Sequence, residues 1–323
     1  MNNLLHRPLN VVKRVPEVVK IPKYHISLKA AVAELLAMAL FVYIGCGTAM
    51  TFSSRASPTF TRQPVVVPNN TLLAFQEMND RLQVNSSWGV TTALAFGLSI
   101  TVLCYATAHL SGGQLNPAVT LGLALVGALD AAQAAVNVAA QVVGSILGAA
   151  FLAATIPHSQ WRTLGSNEIA PGVAYGNALC GEIIMTFTLV SVVLETAVNK
   201  KSVARVQAPM AIGFSVFCAH AVLLPIDGCS INPARSLGPA IISGTWPGTF
   251  WVFVVGPLLG AIAAVPFHLL FRSDYDRIIK NHDPVDLRAA ESFISPSDLK
   301  KVQGSTASAS GDVIDIEAVN GAV

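Results

Sequence analysis

Six long apolar segments constrain this chain more than any other feature of its sequence. They lie near residues 30–52, 89–109, 131–156, 175–198, 206–226 and 246–271. A transmembrane helix needs roughly 20 mostly apolar residues to cross the hydrocarbon core, and each segment is long enough. Only 12% of the residues are charged, whereas soluble domains carry about 25%. The sequence therefore predicts an all-α membrane protein with six transmembrane helices.

The distribution of basic residues predicts the orientation of these helices. An even number of crossings puts both termini on one side. Residues 1–29 carry six Lys and Arg, the connection 199–205 carries three, and residues 272–323 carry six, against four in the connections on the other side. Because basic residues accumulate on the cytoplasmic side, we expect both termini to be cytoplasmic, in the plasma membrane or alternatively in an intracellular one.

The same pattern divides the chain into three regions. Residues 1–29 form a basic cytoplasmic segment, and residues 30–271 form the membrane domain. Residues 272–323 are polar and rich in small side chains, so we expect a largely disordered cytoplasmic tail. The first outer connection, 53–87, is long and polar, and it contains two glycosylation sequons, at Asn69 and Asn85.

An internal repeat relates the two halves of the membrane domain. The tripeptide Asn-Pro-Ala occurs at 116–118 and again at 232–234, and Glu34 aligns with Glu182 when the segments around them are superposed. The segment AFGLS at 95–99 likewise aligns with AIGFS at 211–215. Repeat 1 spans about 30–156 and repeat 2 about 175–271, with three spans each. Because three is odd, the halves enter the membrane from opposite sides, as an inverted repeat.

Each tripeptide predicts the start of a short helix. Asn is a strong N-cap, and Pro suits the first helical position. The apolar runs that follow, Pro117–Val126 and Pro233–Ile242, would be about 15 Å long, half of a ~30 Å hydrocarbon core. The inverted repeat predicts two re-entrant half-helices that meet N-terminus to N-terminus at the membrane midplane.

Non-helical backbone at that depth must be buried in protein or line a wet cavity. The loops before the half-helices supply such backbone, with pore-facing carbonyls expected at Gly112, Gly113, Gln114, Gly228, Cys229 and Ser230. We expect the motif residues Asn116, Pro117, Ala118, Asn232, Pro233 and Ala234 to form the pore centre. There each asparagine caps its helix and offers its NH2 group to the lumen. Two donors and two positive helix ends would interrupt a proton-conducting chain of waters and repel cations.

The motifs HLSGGQLNPAVT, AFGLSI, GEIIMTF and GCSINPARSLGPA make the chain similar to the aquaporins of the major intrinsic protein family, over residues 30–271. The resemblance implies a homotetramer in the lipid bilayer, one pore per subunit and water as permeant. By position in the family pattern, the selectivity filter is Phe96, His220, Cys229 and Arg235, a set similar to that of water-selective members. Matching glutamates in the family hold the pore loops, which assigns that role to Glu34 and Glu182.

Other functions have less support in the sequence. The net charge of +2 does not indicate a nucleic-acid partner. The five cysteines include no CxxC pair, and no nucleophile–base pair or metal spacing indicates an enzyme, a metal or a cofactor. A secondary transporter needs ionisable coupling groups near the broken helices, which the Asn-Pro-Ala loops lack. The alternatives that stay open are a channel that also passes hydrogen peroxide, ammonia or glycerol, and a non-conducting structural membrane protein.

Overall fold

The computed structural model describes residues 26–56, 71–161, 163–199 and 201–281. Within these ranges the chain forms eight α-helices: α1 Leu28–Ala56, α2 Thr71–Ser111, α3 Pro117–Leu125, α4 Ala131–Thr155, α5 Tyr175–Val193, α6 Ala208–Asp227, α7 Pro233–Ser243 and α8 Val252–Asn281. A π-helical turn, Leu194–Val198, continues α5. Six of the helices in these ranges are long and apolar enough to span a membrane. The predicted all-α architecture with six spans is confirmed.

The remaining two helices, α3 and α7, are the predicted half-helices. They contain 9 and 11 residues, too few to cross the roughly 30 Å hydrocarbon core at about 1.5 Å per residue. Each begins at the proline of an Asn-Pro-Ala motif. Their first turns are buried, in a core that also includes Phe41, Phe96, Leu115 and Ile231.

Glycines bring the long helices into close contact. α1 packs most extensively on α4, and α2 on α6. On α4, Gly144 and Gly148 lie one turn apart, and a side chain at either would overlap the backbone carbonyl of Leu35 or Ala39 on α1. Small residues permit such backbone contact between membrane helices. The contact therefore depends on the absence of a Cβ at both glycines.

A second glycine contact lies on the pseudo-two-fold axis. Gly97 on α2 and Gly213 on α6 are equivalent positions of the two repeats, and they face each other. A Cβ at Gly97 would lie 2.7 Å from the Gly213 carbonyl oxygen, and a Cβ at Gly213 would lie 2.5 Å from the Gly97 carbonyl oxygen. A residue that contacts its own repeat equivalent must lie near the axis that relates the halves.

The outward faces of the long helices expose apolar side chains at helical spacing. On α1 these are Leu36, Leu40 and Ile44, and on α2 Leu94, Leu98 and Val102. Such a surface suits lipid rather than water. The pattern agrees with helices that pack inward on the half-helices and outward on a bilayer.

Two helices extend beyond their predicted boundaries. Helix α2 begins at Thr71, so residues 71–87 are helical rather than part of a loop over 53–87. This segment is rich in strong helix formers and free of proline. Asn85 therefore falls within a helix, whereas Asn69 lies outside the described residues. Helix α8 likewise continues to Asn281, ten residues into the predicted disordered tail. Residues 1–25 and 282–323 also lie outside the described residues.

The α1–α4 contact yields a direct test. Gly148→Ala places a methyl group against the Ala39 carbonyl and should lower stability by about 1–3 kcal/mol, because overpacking forces the helices apart. Gly176→Ala on α5 is the control, because a Cβ there meets nothing within 4 Å. Thermal unfolding in detergent should show a lower midpoint for Gly148→Ala only. Equal midpoints for the two variants would contradict close packing at Gly148.

Candidate pore and outer constriction

The half-helices are capped by their own asparagines. The Asn116 side-chain oxygen accepts a hydrogen bond from the Ala118 N–H at 2.8 Å. The Asn232 side-chain oxygen accepts from the Ala234 N–H at 3.1 Å and from the Arg235 N–H at 3.2 Å. Both caps have extended backbone, as N-cap residues usually do. The two positive helix ends therefore begin at the two motifs.

The asparagine amides also join the two loops to each other. Asn116 Nδ2 donates to the Ile231 carbonyl at 2.8 Å, and Asn232 Nδ2 donates to the Leu115 carbonyl at 2.8 Å. We call this pair of bonds the reciprocal lock. An amide carries two N–H hydrogens, so the lock uses one hydrogen of each asparagine. The sequence predicts that each NH2 group faces the lumen, and it does not predict the bond to the opposite loop.

Two fully buried glutamates hold the loops from behind. Glu34 accepts hydrogen bonds from the N–H groups of Gln114 at 2.9 Å and Leu115 at 2.7 Å. Glu182 accepts from the N–H groups of Ser230 and Ile231, both at 2.6 Å. These contacts use one carboxylate oxygen for each N–H group. The two repeats therefore place the same carboxylate clamp behind each loop.

The residues before the asparagines adopt a backbone that side chains disfavour. Leu115 has φ 50° and Ile231 has φ 45°, in the left-handed region that costs a non-glycine residue roughly 1–2 kcal/mol. At each of them the N–H is held by a glutamate and the carbonyl by the opposite asparagine. Hydrogen bonds on both sides of the residue offset the strain.

A polar stripe on α4 supports the first loop and the start of α7, and it was missed by the sequence analysis. It consists of four buried residues at four-residue spacing, Gln133, Asn137, Gln141 and Ser145. Gln141 donates to Glu34 at 2.8 Å, and Asn137 donates to the Gln114 side chain at 3.2 Å. Ser145 donates to the Ala234 carbonyl. Polar residues at four-residue spacing in an uncharged transmembrane helix could have predicted this stripe, since buried polar groups in a membrane are costly and usually functional.

The second loop has a different support. Asn167, in the connection between α4 and α5, donates to the Asp227 carbonyl at 3.1 Å and accepts from the Ser236 hydroxyl at 2.8 Å. Asp227 in turn accepts from the Cys229 N–H at 2.9 Å. No pattern in the sequence distinguishes Asn167, because a single asparagine in a polar connection is common.

A cavity of about 360 Å³ runs from the C-terminal end of α2 to the paired asparagines. Its wall includes the predicted backbone positions Gly112, Gly113 and Gln114, together with Asn116 and Asn232. The rest is mostly apolar, with Phe41, Ile100, Val119, Leu189, Val193 and Val216. Gly228, Cys229 and Ser230 do not line this cavity. The cavity offers one polar strip of loop atoms against an apolar wall.

Three predicted filter residues meet beyond the asparagines. The rings of Phe96 and His220 stack with centroids 4.1 Å apart, and the Arg235 guanidinium carbon lies 4.8 Å from the Phe96 centroid. Arg235 Nη1 donates to the Gly165 carbonyl at 2.7 Å. Cys229 is fully buried, in the turn before Asn232, with φ 55°. We call Phe96, His220 and Arg235 the outer cluster.

Some polar atoms of the outer cluster face no protein partner. His220 Nδ1 lies 2.9 Å from the Val216 carbonyl, so Nδ1 carries the proton. His220 Nε2 and Arg235 Nε are buried without a hydrogen-bond partner. The Gly165 carbonyl is a neutral acceptor, so it leaves the positive charge of Arg235 in place. The cluster thus combines bulk, positive charge and unsatisfied hydrogen-bonding atoms, which suits a small polar molecule.

Comparisons with known proteins agree with this architecture. The sequence model of the family described as Major intrinsic protein matches residues 22–268. Aquaporin-1 of Sus scrofa is 40% identical over 243 residues, which cover 75% of this chain and 82% of that relative. Aquaporin-1 of Homo sapiens is 39% identical over 237 residues, which cover 73% and 79%.

A solved structure supports the fold. The aquaglyceroporin from Plasmodium falciparum aligns with a TM-score of 0.57 and 20% identity, over 75% of this chain and 95% of that one. The chain therefore belongs to the major intrinsic protein family, as an aquaporin. Members of this family are multi-pass membrane channels, not enzymes.

The reciprocal lock can be tested by removing its donors. Asn116→Ser keeps an N-cap oxygen but leaves the Ile231 carbonyl without its partner, so stability should fall by about 1–3 kcal/mol. Asn232→Ser should cost a similar amount, because both lock bonds are 2.8 Å long. The thermal unfolding midpoint in detergent is the measurement, with Val222→Ala, on the exposed face of α6, as a control. Midpoints equal to that of the parent chain would show that the lock contributes no stability.

Proposed function

We propose that this aquaporin conducts water passively along osmotic gradients and excludes glycerol, ions and protons. The observation that carries the proposal is the outer cluster, in which the His220 ring and the Arg235 guanidinium both pack on Phe96, at 4.1 Å and 4.8 Å from its ring centroid. The Aquaporin-1 relatives add support by their name and by their identity of about two residues in five.

The outer cluster supports selection by size. Phe96 and His220 are large, fully buried side chains whose rings stack on each other. A path that passes two bulky rings and a guanidinium would be narrow enough to exclude glycerol by its carbon skeleton. His220 Nε2 and Arg235 Nε provide hydrogen bonds for a molecule that passes in single file.

Charge selection would act at two levels. The positive charge of Arg235 repels cations at the outer cluster. At the reciprocal lock, two helix N-termini add positive potential, and each asparagine retains one N–H hydrogen. A water between Asn116 and Asn232 then accepts from both side chains, which interrupts the hydrogen-bonded chain that protons need.

The alternative is a channel that also passes small neutral solutes such as glycerol, hydrogen peroxide or ammonia. The solved aquaglyceroporin relative is 20% identical, so it supports the fold and not the solute. His220 favours water, because a wider channel would have a smaller side chain in its place. Stopped-flow light scattering on proteoliposomes, with water and glycerol gradients in the same vesicles, tests this choice. Comparable rates for the two solutes would exclude the water-selective proposal.

The assembly and orientation are part of the same proposal. We place both termini in the cytoplasm, on the basis of the basic segments 1–29, 199–205 and 272–323. The family resemblance favours a homotetramer with one pore per subunit, and the plasma membrane is the favoured location. Asn69 is the favoured glycosylation site.

Widening the outer cluster should relax its selectivity. The double variant His220→Ala, Arg235→Val removes bulk and charge, so glycerol should pass severalfold faster and cation leak should rise. Val222→Ala is the control, because Val222 lies on the same helix and is exposed on its outer face. Swelling in glycerol and current in the same cells are the measurements. Unchanged glycerol exclusion in a well-expressed double variant would place the narrowest point elsewhere.

Mercurials should block water flow, and Cys229→Ser should abolish the block. Cys229 lies three residues before Asn232, whereas Cys180 and Cys218 are exposed on the outer sides of α5 and α6. Cys218→Ser is the matched control, and it should remain sensitive. Water permeability before and after mercurial treatment is the measurement. Full sensitivity of the Cys229→Ser protein would show that another thiol reacts.

A further inference from the structure

We propose that two adjacent residues of α1, Gly45 and Cys46, set the geometry of the outer constriction although neither belongs to the outer cluster. Gly45 positions the ring of Phe96, and Cys46 positions the carbonyl that holds Arg235. We call the pair the α1 seat. The inference deepens the proposed function, because it assigns positioning residues to the site on which that function rests.

Gly45 provides the space in which the Phe96 ring lies. A Cβ built on Gly45 would lie within 2.7 Å of three ring atoms of Phe96, namely Cδ1, Cε1 and Cζ. Real Cβ atoms essentially never approach another heavy atom within 3.0 Å. The phenyl ring therefore rests directly on the backbone of α1, and any side chain at Gly45 must move it.

The ring has little freedom to move elsewhere. Phe41 packs edge-on against it with centroids 5.5 Å apart. His220 stacks on it at 4.1 Å, and the Arg235 guanidinium carbon lies 4.8 Å from its centroid. Phe96 is fully buried. A displacement from the Gly45 side is thus passed on to His220 and Arg235 and narrows the space between them.

Cys46 acts on Arg235 through Gly165. A Cβ on Gly165 would lie 2.8 Å from Cys46 Cβ and 3.1 Å from Cys46 Cα, so the Gly165 backbone lies against Cys46. Gly165 has φ 75°, a conformation that glycine adopts without strain. Its carbonyl accepts from Arg235 Nη1 at 2.7 Å and, more weakly, from the Cys46 thiol at 3.8 Å. The position of the guanidinium therefore depends on the size of residue 46.

The repeat supports a role in the path. Superposing Glu34 on Glu182 aligns Gly45 with Val193 and Cys46 with Leu194. Val193 lines the cavity on the other side of the asparagines. Gly45 is thus the repeat equivalent of a residue that lines the channel wall. In the first repeat the wall at this position is the Phe96 ring, which lies over Gly45. Because Gly45 has no side chain, there is room for the Phe96 ring and for the His220 ring stacked on it.

Gly45→Ala is the first arm of the test. Water permeability per channel should fall severalfold while glycerol stays excluded, because the Phe96 ring is pushed toward His220. Gly47→Ala is the matched control: it lies two residues away on α1, and its Cβ would meet only the end of the Leu152 side chain, at 3.2 Å. This control should keep the parent permeability. Parent-like water flow in Gly45→Ala would overturn the proposal.

The Phe96→Leu background separates positioning from general packing. A smaller side chain leaves room for the new methyl group, so Gly45→Ala should have no further effect on permeability in this background. Such non-additivity is the signature of two residues that act through one contact. If Gly45→Ala does not reach the membrane alone, the Gly45→Ala, Phe96→Leu chain should. An equal loss in both backgrounds, or failure of the double variant to fold, would reduce Gly45 to a packing residue.

Cys46 forms the second arm. Cys46→Val adds bulk against Gly165 and displaces its carbonyl from Arg235, so the ratio of glycerol to water permeability should rise. Cys46→Ser keeps the size and the donor, and it should behave as the parent. A parent-like ratio in Cys46→Val would refute this half of the proposal. Should the parent chain itself pass glycerol as fast as water, the proposed function fails, whereas a Phe96-dependent effect of Gly45→Ala would still support the α1 seat.

Discussion

The reciprocal lock is the interaction on which the rest of the channel depends. Each asparagine side chain caps its own half-helix and donates to the loop of the other repeat. The lock joins the two half-helices at their N-termini, although each is too short to span the membrane. The lock also supplies donors to two backbone carbonyls that would otherwise be unpaired. At that depth in a membrane, an unsatisfied polar group costs roughly several kcal/mol. The meeting of the two half-helices therefore follows from how the loops pair their backbone carbonyls.

The two halves hold their loops with equivalent glutamates, but the other residues that support the two loops differ. The first loop rests on the polar stripe of α4, whereas the second rests on Asn167 from a connecting segment. Only the second half carries an arginine after its motif, at Arg235. Residues of both halves line the mostly apolar cavity on one side of the asparagines, and residues of both halves form the charged outer cluster on the other side. An inverted repeat of equal folds thus yields a path with two unequal ends.

Local rules predicted much of this structure, and contacts between distant residues explain the remainder. The spans and half-helices follow from apolar length, and the start of each half-helix follows from the capping preference of asparagine. The cross-donation of Asn116 to Ile231 does not follow, because it depends on two loops 115 residues apart. Gly45 was equally hidden, since a glycine in an apolar helix does not indicate which ring will lie on it. The helical segment 71–87 is not evident in the apolar pattern, because its polar residues predict a loop as readily as a helix.

The reciprocal lock has a consequence for biosynthesis. Asn116 leaves the ribosome 116 residues before Asn232, which is about 6–23 s at a synthesis rate of about 5–20 residues per second. During that interval the Leu115 carbonyl lacks the asparagine that will hold it. Glu34 precedes the loop in the chain, so its clamp on the Leu115 N–H is available from the outset. The Glu34 carboxylate can thus hold the first re-entrant loop during synthesis of the second half of the protein.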